Sequence, residues 1–177
     1  MWEGRSELGT LTISIIGLGL IGGSLGMDLS TWSRKKMIRG YDVKPEVVLV
    51  AREKGAIDVA LSFEEVIKGA DVIFLATPVS AIPGIFNRMK PFLSPHTFIF
   101  DVASVKEWIF TEIQRDSLPW EYIGFHPMGG KEEGGIQNAA RGLFRGVPIL
   151  VSPVSMREET RALISEIASV LGGQVFF

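Results

Sequence analysis

Short apolar runs alternate along this chain with stretches whose apolar positions recur at three- and four-residue spacing, and the two patterns predict strands and helices in turn. The runs are Ile13-Ser14-Ile15-Ile16, residues 37–42, Asp71-Val72-Ile73-Phe74-Leu75-Ala76, and residues 97–101, 121–124, 148–152 and 174–177. The third is apolar enough for a central parallel strand covered on both faces. Helices are expected between them at about 20–31, 45–54, a short stretch ending near Lys68, 81–89 with a proline interruption, and 104–114. In a last helix, Leu163, Ile164, Ile167, Val170 and Leu171 keep helical spacing. Pro45 suits a first turn because its missing N–H would be unpaired there anyway, and Gly55 and Gly172-Gly173 stop their helices. Ser62 with Glu65, Ser104 with Glu107 and Ser155 with Glu158 have the spacing of capping boxes. The alternation predicts an α/β fold: a doubly wound, mostly parallel Rossmann-type sheet in a single domain over residues 11–177, with 1–10 as an N-terminal extension.

The first strand runs directly into Gly17-Leu18-Gly19-Leu20-Ile21-Gly22, and Asp42 closes the second apolar segment twenty positions after the last of these glycines. A bare G-x-G-x-x-G is weak evidence, but a strand before it, a helix after it and an acid at this distance make a dinucleotide-binding fingerprint. Gly17 permits a turn that a side chain would block, Gly19 lets backbone approach a pyrophosphate, and Gly22 lets the helix pack close to the strand. The helix then offers unpaired N–H groups and its dipole to the phosphates. Asp42 stands where a carboxylate accepts hydrogen bonds from ribose hydroxyls and repels an additional phosphate, which favours NAD over NADP. An ordinary glycine-rich turn followed by a surface aspartate is the competing explanation, and the setting weighs against it.

Ligands of such sheets collect at the carboxyl ends of the strands. Asp42, Thr77-Pro78, the turn from Asp101 to Ser104 and the Phe125-His126 turn all lie at predicted strand ends and can line one crevice. His126 precedes a proline that restricts its backbone and glycines that admit a ligand, which suits a general base facing a hydroxyl. A histidine hydrogen-bonded in an ordinary loop is the alternative, as it is for His96, which has no such surroundings and is expected at the surface. Ser104 is accounted for by capping a helix, and its hydroxyl could also face a nicotinamide and bond the imidazole. The residues alone leave both roles open.

Composition narrows the field further. In 177 residues, eighteen Lys and Arg stand against twenty Asp and Glu for a formal charge of −2, with no basic block that could follow a phosphate backbone, so nucleic acid is not an expected partner. There are no cysteines, which excludes disulfides and thiolate chemistry, and the two histidines lie thirty residues apart without a metal-ligand cluster. No apolar signal core precedes the first strand and no run is long enough to span a membrane, so the chain is expected to be soluble and cytoplasmic. It ends on Phe176-Phe177, an apolar pair expected at a domain boundary.

Taken in order, Gly17 to Leu25, then Asp101-Val102-Ala103-Ser104-Val105-Lys106, then His126-Pro127-Met128 with Gly130 and Glu132, resemble prephenate dehydrogenase and the related arogenate dehydrogenase over nearly the whole chain. The resemblance implies an NAD-dependent oxidative decarboxylation of prephenate or arogenate in tyrosine biosynthesis, driven by aromatisation. It also implies that His126 is the catalytic histidine, that Ser104 orients it against the cofactor, and that Glu132 lies near the substrate. Gly17, Leu18, Gly19, Leu20, Ile21, Gly22, Asp42, Thr77, Pro78 and Ser104 are the expected cofactor residues. Lys131 stands where the family commonly has a small hydroxyl residue, and a cation there could pair with a substrate carboxylate. Members of the family carry a further helical domain that dimerises and supplies an arginine to the substrate, so weak activity is expected of this chain without one. A nucleotide-binding module without turnover, or another NAD(P)-linked hydroxyacid dehydrogenase, are the rival readings; the latter leaves Gly124 to Gly135 without a role.

Overall fold

The computed structural model describes residues 9–104, 120–153 and 157–177. Eight strands form one sheet in the order β3-β2-β1-β4-β5-β6-β7-β8. They are β1 (Leu11–Ile16), β2 (Lys36–Tyr41), β3 (Val59–Ala60), β4 (Val72–Leu75), β5 (Phe98–Asp101), β6 (Glu121–Pro127), β7 (Pro148–Pro153) and β8 (Gln174–Phe176). All neighbours run parallel except β6 and β7, which are antiparallel. The described helices are α1 (Leu20–Leu29), α2 (Pro45–Glu53), α3 (Phe63–Ile67), α4 (Ile82–Met89) and α5 (Glu158–Leu171). None of them is long and apolar enough to cross a membrane.

Alternation along the strands divides the core between the two faces of the sheet. Ile13, Ile15, Phe74, Phe100 and Phe125 pack with Leu25 and Leu29 of α1 and with Leu163, Ile164 and Ile167 of α5. Ile16, Ile73, Leu75, Ile99 and Tyr122 pack instead with α3 and α4. Three phenylalanines from adjacent strands meet in the first layer, with ring centroids 5.1 Å apart for Phe74 and Phe100 and 5.4 Å for Phe100 and Phe125. Truncating a buried ring of this kind costs about 3–5 kcal/mol.

Several elements differ from what the pattern predicts. Strand β3 has only two residues, too few for any periodicity, and holds its place by pairing with Arg39 and Gly40 of β2. Pro83 does not interrupt its helix; it occupies the first turn of α4, where no N–H is required, after a 3-10 turn at Val79–Ala81. Helix α5 opens at Glu158 with Arg157 as N-cap and no side-chain cap, later than the Ser155 box implies; Ser155 itself, like Glu107 and most of the helix expected over 104–114, lies outside the described residues. The Ser62 box is present in full: Ser62 and Glu65 each accept the other's backbone N–H.

The most consequential difference is β6, which continues three residues past Gly124. Its pairing with β5 stops at Asp101 opposite Gly124, while pairing with β7 continues through Pro127 opposite Ile149. Phe125 to Pro127 therefore overhang the end of β5, bonded on one side only, and Pro127's missing N–H leaves no ladder bond unmade. His126 sits within this overhang and not in a turn beyond the strand.

Candidate functional site

Strand β1 lies between β2 and β4, with the chain leaving it in opposite directions, so the sheet opens a crevice at the ends of these three strands. The glycine elbow occupies it. Gly17 has φ +91°, its N–H donates to the Tyr41 carbonyl at 2.9 Å, and a Cβ there would lie 2.6 Å from the Ala76 carbonyl oxygen. A Cβ on Gly22 would come within 1.9 Å of the Gly17 carbonyl oxygen, so only glycine lets α1 start this close to β1. Gly19 differs: it is the N-cap of α1, offers no side-chain cap, and a Cβ built on it meets nothing within 4 Å. The first turn of α1 carries no acidic residue, so the helix itself supplies no charge against its N–H groups and the positive end of its dipole.

Asp42, just past β2, is tied to this elbow. Its Oδ2 accepts the Leu18 N–H at 2.9 Å and its Oδ1 accepts the Lys44 N–H at 3.0 Å. Each oxygen retains a lone pair, and Asp42 lines a cleft of about 650 Å³ with Gly17, Gly19, Thr77 and Pro78. Leu18 and Leu20 turn their side chains into the protein, so only their backbone is available to a ligand. Thr77 Oγ1 is buried and has no partner among the described residues, a polar atom left for something that enters the cleft. The far wall was not legible in the sequence. Arg88 of α4 lays its guanidinium 4.2 Å from the Phe63 ring centroid, Tyr41 meets the same ring edge-on, and the 3-10 turn at Ile136–Asn138 closes the opposite side. These residues come from four separate elements, and none belongs to a recognisable motif.

His126 and Ser104 stand farther along the same rim, at the ends of β6 and β5, and are not part of the lining of that cleft. His126 is half-buried, with Nδ1 3.1 Å from the Val102 carbonyl oxygen. A carbonyl only accepts, so in the neutral ring Nδ1 carries the proton and Nε2 keeps a lone pair. Ser104 is exposed, two residues beyond that carbonyl. Asp101 is buried below it, its Oδ1 accepting the Ala103 N–H at 2.8 Å. Tyr122 lies beside it, its phenol pushed well above the usual range by burial and then by the Asp101 charge. His96 is exposed at the opposite end of the sheet and has φ +70°.

Lys131 and Glu132 are both exposed on the connection between β6 and β7. The Lys131 ammonium donates to the Asn138 carbonyl at 2.8 Å, bracing that connection. The connection is in turn fastened to α1: Ser24 Oγ accepts the Ala140 N–H at 3.0 Å and Asp28 Oδ1 accepts the Gly142 N–H at 2.8 Å. The segment following His126 is thus packed against the helix that begins at the glycine elbow.

The family model described as "Prephenate dehydrogenase, nucleotide-binding domain" matches residues 25–176, so the glycine elbow lies just outside the matched span. The prephenate dehydrogenase of Bacillus subtilis (strain 168) is 31% identical over 146 residues, covering 80% of this chain and 39% of that protein. The crystal structure of Synechocystis arogenate dehydrogenase superposes with a TM-score of 0.85 at 30% identity, covering 94% of this chain and 59% of the other. That of prephenate dehydrogenase from A. aeolicus in complex with hydroxyphenyl propionate and NAD+ superposes with a TM-score of 0.83 at 25% identity, covering 97% and 60%.

Proposed function

This chain belongs to the family of prephenate dehydrogenase nucleotide-binding domains, and on that footing we propose that it is the cofactor-binding and catalytic-histidine portion of an NAD-dependent dehydrogenase acting on prephenate or arogenate. The observation that carries the proposal is the placement of His126, whose Nδ1 is engaged by the Val102 carbonyl so that Nε2 is the ring's proton acceptor. The open face of Gly19, the uncapped start of α1 and the unpartnered Thr77 Oγ1 fit a dinucleotide. When bound, NAD supplies the hydride acceptor for the reaction.

The protein's own groups divide the remaining work. The N–H groups at the start of α1 hold the pyrophosphate. Asp42 turns its two remaining lone pairs to the ribose hydroxyls and excludes a phosphate from the same place. At the other end of the rim, His126 Nε2 takes the proton of the substrate hydroxyl as the carbon bearing it is oxidised, a role of general base worth about 10²–10⁴-fold. The carbon–carboxylate bond then breaks, its electron pair completes the aromatic ring, and carbon dioxide leaves. Ser104 orients the imidazole, and Glu132 with Lys131 faces the substrate side.

The test is a turnover assay with prephenate and arogenate, each with NAD and NADP. Oxidation of at least one acid with NAD, weak from this chain alone and with carbon dioxide released in equal amount, is the expected result. Tight NADH binding with neither acid oxidised in the full-length protein would favour a nucleotide-binding module without turnover.

A further inference from the structure

Asp101 is fully buried, 0% exposed, at the end of a strand whose other residues are Phe98, Ile99 and Phe100. A carboxylate in such a place is costly unless it is hydrogen-bonded, and packing alone would take another apolar side chain there. By the alternation of the strand, Asp101 shares the face of Ile99 with Tyr122 of β6, while Phe98 and Phe100 face α1 and α5. Register sets it against Gly124, two residues before His126 on the same face of β6.

We propose that Asp101 is a positioning residue for His126, acting through the single peptide unit that joins Val102 to Ala103. The N–H of that unit donates to Asp101 Oδ1 at 2.8 Å, and its carbonyl lies 3.1 Å from His126 Nδ1. A peptide unit is planar and stiff, with N–H and C=O pointing in opposite directions, so holding one end aims the other. The carboxyl oxygen accepting the N–H polarises the unit so that its carbonyl becomes the better acceptor. The carbonyl in turn keeps the proton on Nδ1, leaving Nε2 bare and pointed away from β5. Asp101 therefore sets both the tautomer and the direction of the imidazole without touching substrate or cofactor. This rests on the assignment of His126 as the proton acceptor, but its test does not depend on turnover.

The chain has two histidines, so the ring nitrogens of His126 are resolved by nitrogen-15 NMR, with His96→Gln supplying the assignment. In the unsubstituted protein with the ring neutral, His126 should show a protonated Nδ1 and a bare Nε2, widely split. Asp101→Ala should bring the two resonances toward each other as the ring exchanges between tautomers, and Asp101→Asn, whose amide oxygen can still take the Ala103 N–H, should restore most of the splitting. Tyr122→Phe, which leaves the carboxylate in place, should keep it. Should Asp101→Ala not fold, Asp101→Leu fills the buried volume without an acceptor and takes its place in the comparison. A ring protonated at Nε2 in the unsubstituted protein overturns the proposal without any variant. So does a folded Asp101→Ala or Asp101→Leu protein with unchanged splitting, or a collapse caused by Tyr122→Phe. If the tautomer follows Asp101 while His126→Asn leaves turnover intact, the positioning stands and the base assignment falls.

Discussion

Gly19 and Gly22 are three residues apart in one turn, yet alanine should act on them in opposite ways. At Gly19 the new methyl meets no atom within 4 Å among the described residues beyond its own stretch of chain, and φ is −68°, ordinary for any residue. The fold should therefore lose only about 0.5–1 kcal/mol, the margin by which glycine surpasses alanine as an N-cap. The methyl would, however, occupy the space through which a pyrophosphate approaches the first N–H groups of α1. Displacing it from those donors by about 1 Å should weaken NADH binding by roughly 10- to 100-fold, about 1.4–2.8 kcal/mol. At Gly22 the methyl would lie 1.9 Å from the Gly17 carbonyl oxygen and 3.1 Å from Ala76 Cβ. Backbone cannot step aside as a flexible side chain can, so α1 must shift, and both stability and binding should fall, stability by about 1–3 kcal/mol as for other overpacked sites. Chemical denaturation and calorimetric NADH titration of both variants separate the effects. A Gly19→Ala protein that binds NADH as the unsubstituted chain does would refute the placement of the pyrophosphate against this turn.

Other consequences are equally direct. His126→Asn should lower turnover by roughly 100-fold or more with cofactor affinity nearly intact, measured by steady-state kinetics alongside NADH titration; unchanged turnover removes the base assignment. NADH should bind more tightly than NADPH, and Asp42→Asn should narrow the difference by removing a like charge from the 2′-phosphate; a calorimetric preference of the unsubstituted protein for NADPH contradicts the role given to Asp42. Asp28 has its carboxyl raised above the usual range, chiefly by burial, against the opposing pull of the Gly142 N–H and of Arg145 and Arg141. A carboxyl raised in the folded state favours folding when protonated, so its contribution is present below the ordinary value of about 4 and is lost as pH rises through the raised one. Asp28→Asn keeps an acceptor for Gly142 but cannot ionise, so its stability relative to the unsubstituted protein should grow as pH is raised from about 4 toward 7. Thermal melts across that range showing a constant difference would contradict the assignment.

Much of the scaffold was open to reading from local pattern because its causes are local. The apolar run from Val72 to Leu75 became a strand buried along its whole length, and Leu163, Ile164, Ile167 and Leu171 became the inner face of α5. The setting of Gly17, Gly19 and Gly22 between a strand and a helix identified the crevice, since a tight elbow leaves a signature within six residues. Pattern failed where pairing decided. Strand β3 exists because β2 offers an open edge, and β6 passes Gly124 because β7 pairs with it from the far side.

The order of strands, helices and glycines along the chain thus determined the class of fold and the position of the crevice at the glycine elbow, because strand, helix and turn preferences act between near neighbours. Tertiary structure alone decided which distant groups meet there. Arg88 lies on Phe63 across the cleft, Asp28 and Ser24 hold the connection that follows His126, and the Val102 carbonyl engages the imidazole from a neighbouring strand. Such contacts depend on sheet order and register, which bring together residues up to 116 positions apart, as in the Ser24–Ala140 bond, only after the whole sheet has closed around its core.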